Sequence, residues 1–74
     1  MQTKNLTRLA RKVLDALEDS NDPKKPQDLV EDLNMNLRSV RYALKLLEEA
    51  ELVNRRPDLR DLRTYYYYPS KIKA

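Results

Sequence analysis

The chain has no glycine, no cysteine and no histidine among its 74 residues, and its aromatics are tyrosines alone. Each absence closes something off. Without glycine, any backbone position that needs a positive φ falls to Asn, Asp or a strained residue. The unfolded chain also has less conformational entropy to lose, which favours a small domain. Without cysteine there is no disulfide, and without cysteine or histidine the usual transition-metal ligands are missing, so a structural or sensory metal site is not expected. The same absences remove the thiol nucleophile and the imidazole base. The serines have no partner base, no Gly-rich phosphate loop exists, and the carboxylates fall on solvated faces. The chain therefore reads as a non-enzyme with no cofactor. No apolar run approaches the roughly 18 residues of a membrane span, and MQTKNLTRLARK lacks the apolar core of a signal peptide. A cytoplasmic location is expected.

What is present is charge and a modest apolar fraction. Hydrophobic residues make up 41% and charged residues 36%, which suits one small globular domain rather than a disordered segment. The net charge of +3 is unevenly spread. Lys4, Arg8, Arg11 and Lys12 open the chain without an acid among them. Glu18, Asp19, Asp22, Asp28, Glu31 and Asp32 follow, against Lys24 and Lys25. Arg38, Arg41 and Lys45 then stand in a stretch free of acids from Leu37 to Leu47, and Arg55, Arg56, Arg60 and Arg63 come later. Sign segregation of this kind is the footprint of a polyanion binder. Abundant Lys, Arg and Glu, with no Gly or Cys, points to a heat-adapted source.

The organising stretch is QDLVEDLNMNLRSVRYALKLLEEAELV, residues 27–53. It predicts a short helix over 26–33, a tight turn at Asn34, and a longer helix over 37–50. Leu29, Val30 and Leu33 stripe the first of these. Asn34 tolerates the left-handed conformation that the turn needs. Asn36 sits at the N-cap, where its side-chain oxygen can accept from the N–H of Ser39 or of the residue before it. At about 100° per residue, Val40, Ala43, Leu44, Leu47 and Ala50 share one arc. Arg38, Arg41 and Lys45 cluster opposite, with Tyr42 at the flank. Solvated helix faces usually mix signs, and this one is purely cationic. A helix apolar on one side, cationic on the other and presented by a shorter helix is how a helix-turn-helix enters a DNA major groove.

The flanks complete an α+β, mainly α, architecture of three helices and a C-terminal two-stranded hairpin. Leu6, Leu9, Ala10, Val13, Leu14 and Leu17 predict a first helix over 5–19, capped by Thr3 or Asn5. Lys24 and Lys25 are pushed towards an extended segment by Pro26, which suits a first helical position. Strands are expected at 52–56 and 63–68, joined by a turn over 57–62, with a mobile tail at 70–74. Tyr65 to Tyr68 favour β structure, and period 2 sends one pair inward and the other outward. The turn carries a doubled Asp-Leu-Arg, at 58–60 and 61–63. Asp58 and Asp61 can initiate turns and orient Arg60 and Arg63, which remain free to reach phosphate. Leu46, beside the core arc, and Leu59, in the turn, each mark either a contact or an ordinary exposed leucine.

Helix, helix, turn, helix, basic hairpin: this order resembles the winged helix-turn-helix domains of ArsR- and MarR-type transcription regulators. MNLRSVRYALKLLEEAELV is similar to the family stretch in which a capped recognition helix ends in Leu-Glu-Glu-Ala-Gly-Leu-Val, and RRPDLRDLRTYYYYP is similar to the wing and its return strand. The likeness covers about residues 6–69. Glu51 replaces the usual glycine after the recognition helix, so that C-cap must be strained or built differently. The helices that many members add for dimerisation are not found here, and the small size resembles minimal regulators of archaea, their plasmids and their viruses. The resemblance implies binding to double-stranded DNA on the nucleoid. Asn36, Leu37, Arg38, Ser39, Arg41, Tyr42 and Lys45 would meet the major groove. Arg55, Arg56, Arg60 and Arg63 would form a wing on phosphates or in the minor groove. A homodimer would read half-sites about one helical turn apart. The alternative is a winged-helix protein-interaction module within a larger transcription or replication assembly; RNA binding would rest on the outward tyrosines alone.

Overall fold

The computed structural model describes residues 7–20 and 22–70. Its elements run α1 (Arg8–Asp19), α2 (Pro26–Leu33), α3 (Leu37–Glu49), β1 (Val53–Asp58) and β2 (Asp61–Pro69). Thr3, Asn5 and Leu6 lie outside the described residues. α1 begins at Arg8, three residues later than expected, and its cap is Thr7: the backbone there is extended, and the hydroxyl accepts the Ala10 N–H at 3.0 Å. Ala10, Val13, Leu14 and Leu17 are buried by α1, at the spacing of one helical face. Leu9, expected on that face, falls at the edge of the buried arc and is left exposed.

Pro26 opens α2 and holds Lys25 extended at its N-cap. The Asp28 carboxylate accepts the Lys25 N–H at 3.2 Å, where negative charge suits a helix start. Leu29 is fully buried, with Val30 and Leu33 packed beside it. The helix ends on Asn34 at φ 55°, ψ 45°, as the turn requires, and the Met35 N–H reaches the Val30 carbonyl at 3.2 Å. Asn36 then caps α3, its side-chain oxygen accepting the Ser39 N–H at 2.8 Å.

Val40, Ala43, Leu44 and Leu47 seat α3 in the core against Val13, Leu14 and Leu17 of α1 and Leu29 of α2. The helix stops at Glu49, with Ala50 as C-cap. Leu46 is half-buried against the core, so it is not the exposed residue expected of it. The exit from α3 is a complete Schellman motif. The Leu52 N–H donates to the Leu47 carbonyl and the Glu51 N–H to the Glu48 carbonyl, both at 2.9 Å. Glu51 sits at φ 62°, in the position that glycine usually fills. Asn34 and Glu51 are the positive-φ positions among the described residues.

β1 and β2 pair antiparallel from Val53↔Pro69 to Pro57↔Tyr65; β2 is longer than expected at both ends, while β1 starts one residue later than expected and ends two later. The predicted six-residue turn shrinks to Leu59 and Arg60, because Asp58 pairs with Asp61. Between those last two pairs, Leu62, Arg63 and Thr64 of β2 bulge out of register. Two-residue hairpins normally use turns with positive φ, supplied by Gly or Asn. Neither Leu59 nor Arg60 adopts one, and the bulge supplies the local twist instead. Lys24 bridges β2 from its other side, exchanging both backbone hydrogen bonds with Tyr67, at 2.9 and 2.7 Å. Tyr67 and Tyr65 turn inward to the core, Tyr66 and Tyr68 outward. Ser70 is not part of a free tail: its N–H donates to the Leu52 carbonyl and its hydroxyl to the Glu51 carbonyl, each at 2.9 Å.

A left-handed non-glycine residue costs about 1–2 kcal/mol, and glycine returns roughly 0.5–1 kcal/mol of that through unfolded-state entropy. Glu51→Gly is therefore expected to stabilise the domain by about 0.5–1 kcal/mol, raising Tm by a few degrees in a thermal melt. An unchanged or lower Tm would show that the Glu51 side chain contributes more than its backbone costs.

Candidate nucleic-acid interface

Burial of the apolar arc sets the rotation of α3, and that rotation turns Arg38, Arg41, Tyr42 and Lys45 to the outside. Tyr42 is 53% exposed. No ion pair engages Arg38, Arg41 or Lys45 among the described residues. The face offers three uncompensated cations and a phenol on one rigid rod. Asn36 and Ser39 stand at its N-terminal end. The Asn36 side-chain oxygen and the Ser39 N–H are spent on each other, which leaves the half-buried Ser39 hydroxyl and the Asn36 amide nitrogen as polar groups there. Leu37 is half-buried at the first helical position.

The hairpin is electrostatically different. Strand alternation separates two neighbouring arginines onto opposite faces. Arg55 points to the helix side, where its Nε lies 3.3 Å from the Glu48 carboxylate and its guanidinium stacks 4.3 Å from the Tyr65 ring. It ties β1 to the end of α3, a role that no local pattern signals. Arg56 points the other way and lies 5.4 Å from the Tyr66 ring. Lys25 approaches the same ring, at 5.2 Å. At the tip, Arg60 and Arg63 are almost fully exposed, but each is held by the aspartate two residues before it. Asp58 accepts the Arg60 N–H at 2.9 Å; Asp61 accepts the Arg63 N–H at 3.2 Å and its Nε at 3.1 Å. These are two Asx turns in tandem.

Asp58 is the residue whose importance the sequence hides. Its side chain is 4% exposed, and Lys25 reaches it across the fold at 2.8 Å. Lys25 thus braces the hairpin against the start of α2. The two partners lie far apart in sequence, so no periodicity relates them. Pro26 is the one local signal, since it holds Lys25 extended beside β2. The Lys25 ammonium, then the Arg60 N–H, hold the Asp58 carboxyl below its ordinary 3.8. The Arg63 side chain, then its N–H, do the same for Asp61. Asp58 in return raises the Lys25 ammonium above its ordinary 10.5.

The model of the MarR family matches residues 6–65. Comparison with curated proteins finds no match. Among solved structures, the chain is similar to MepR of S. aureus in complex with DNA, at 22% identity and a TM-score of 0.78 over 92% of this chain and 56% of that one. FabT of Streptococcus pneumoniae in complex with DNA is similar at 19% identity and a TM-score of 0.78, over 96% and 49%. The adhesin competence repressor AdcR of Streptococcus pyogenes is similar at 24% identity and a TM-score of 0.77, over 92% and 49%. At these identities the likeness is one of fold. The chain spans about half the length of the structures it matches.

The Asp58 brace carries a pH signature. Its folded-state pKa lies below the unfolded value, so its stabilisation is complete above 3.8 and is lost as pH falls through the folded value. Asp58→Asn is expected to lower Tm at neutral pH and to flatten the acid limb of Tm below the ordinary carboxylate value of 3.8. A variant whose acid limb matches wild type would remove Asp58 from that account.

Proposed function

The chain belongs to the MarR family, and from that premise we propose that it is a small double-stranded-DNA-binding transcription regulator that lays α3 in the major groove and its hairpin along the backbone or minor groove. The family is one of transcription regulators, not of enzymes. The observation that carries the reading is the outer face of α3, where Arg38, Arg41 and Lys45 have no acidic partner among the described residues. Three cations gathered on one helix face without an ion-pair partner among the described residues repel one another, and phosphates relieve that repulsion.

In this reading Arg38 and Arg41 contact guanine edges or flanking phosphates, Tyr42 offers its ring to a thymine methyl and its hydroxyl to phosphate, and Lys45 follows the backbone. Asn36 and Ser39 stand where the helix enters the groove, and Leu37 packs at its start. On the wing, Arg56 lies 5.4 Å from the Tyr66 ring with no ion-pair partner among the described residues and faces phosphate, while Lys25, near the same ring, is held by Asp58. Arg55 serves the fold more than the ligand, because Glu48 already neutralises it. Two similar folds were solved with DNA, MepR and FabT, which supports this use of the fold. No helix among the described residues is long and apolar enough to cross a membrane.

The test is salt-dependent binding to a mixed-sequence duplex by fluorescence anisotropy. Each phosphate neutralised contributes about 0.9 to the slope of log K against log salt. Replacing Arg38→Ala and Arg41→Ala together is expected to flatten that slope by about 1.8 and to weaken binding most at low salt. Duplex binding that is unchanged in slope and affinity would refute groove contact by α3 and favour the protein-interaction module.

A further inference from the structure

The tip of the hairpin presents something the arginine reading leaves unused. Leu59 is 84% exposed and Leu62 is 67% exposed, more than any other large apolar side chain among the described residues. Single exposed leucines are ordinary. These two occupy the same position in consecutive Asx turns, Asp58-Leu59-Arg60 and Asp61-Leu62-Arg63. In each turn the aspartate folds back on the arginine's own N–H, which pushes the intervening leucine outward. The doubled tripeptide is thus a device that displays two leucines.

Charge points the same way. Asp58–Arg63 holds two acids and two bases, a net charge of zero. Both guanidiniums have a carboxylate within 4 Å, at 3.9 Å for Arg60 and 3.1 Å for Arg63. A neutral tip adds little counterion release. What it brings to a surface is apolar contact, with arginine heads held alongside to steer it. The brace from Lys25 to Asp58 fixes the first turn to the body of the domain, so the tip is not free to fold away.

We infer that the hairpin tip is an apolar minor-groove wedge, in which Leu59 and Leu62 press between sugars and base edges while Arg60 and Arg63 flank them. This rests on the DNA-binding reading above. The minor groove is about 6 Å wide, too narrow for a two-stranded ribbon with its side chains but open to side chains at the ribbon's tip, Leu59 in the two-residue loop and Leu62 in the bulge beside it. Leucines used this way partly unstack a base step and kink the duplex. Pyrimidine–purine steps kink most easily, so the wedge selects flexible sites without reading bases.

The experiment uses the full chain and a duplex with a central TA step in an A·T-rich flank, carrying a donor and an acceptor dye at its ends. Binding and end-to-end energy transfer are read at several salt concentrations for wild type and Leu59→Ser/Leu62→Ser. The substituted side chains are exposed, and an unchanged Tm verifies that the fold is intact. The wedge requires the double variant to bind about tenfold more weakly, equal to about 1.4 kcal/mol, with an unchanged salt slope and a smaller rise in energy transfer. A duplex bound and bent equally by both proteins overturns the wedge and leaves the DNA-binding reading standing. A wild type that binds no duplex overturns both. Capture of wild type on phosphatidylserine vesicles, lost in the double variant while duplex affinity is unchanged, assigns the leucines to a lipid surface and also overturns the wedge.

Discussion

The rotational setting of α3 governs the rest of the molecule. Val40, Ala43, Leu44 and Leu47 are all buried, and exposing any of the three larger ones costs on the order of 1.5–3 kcal/mol. A turn of the helix by one residue, about 100°, would expose several at once. The helix is therefore locked, and Arg38, Arg41 and Lys45 are carried to the outside as a consequence. The candidate interface is the other side of the core requirement.

With α3 locked, its two ends have to be held without glycine. Asn36 caps the start through the Ser39 N–H. Glu51 closes the end in a left-handed conformation, and Ser70 covers the exposed Glu51 and Leu52 carbonyls from the far end of β2. The hairpin solves the same shortage differently. It avoids positive φ altogether, by combining two aspartate turns with a bulge. A chain without flexible residues thus reaches the turns it needs through side-chain acceptors.

Charge is divided between the two exposed elements. The outer face of α3 carries cations with no ion pair among the described residues, while the hairpin balances most of its arginines: Arg55 with Glu48, Arg60 with Asp58, Arg63 with Asp61. Such a division suits a helix that supplies most of the electrostatic attraction and a hairpin that supplies shape. The brace of Lys25 on Asp58 connects the two, since Lys25 belongs to the entry of α2, which in turn presents α3.

Local rules made much of this legible in the sequence. The bounds of α2 and the start of α3 follow from Pro26, Asn34 and Asn36, each acting within four residues of itself. The apolar arc of α3 follows from helical periodicity, and the cationic face follows with it. The departures all involve partners distant in sequence or a choice between equivalent faces. Four consecutive tyrosines alternate under either phase, and only the docking of β2 on α1 and α2 decided that Tyr65 and Tyr67 go inward. The same choice of phase sent Arg55 to Glu48 and Arg56 to Tyr66. The Lys25–Asp58 brace joins segments that only the folded chain brings together. The sequence by itself determined which helices exist, where they are capped and which side of α3 is cationic, because those depend on neighbours along the chain. Tertiary structure decided which of the basic residues remain unpaired, because an ion pair depends on what the folded chain brings within a few ångströms.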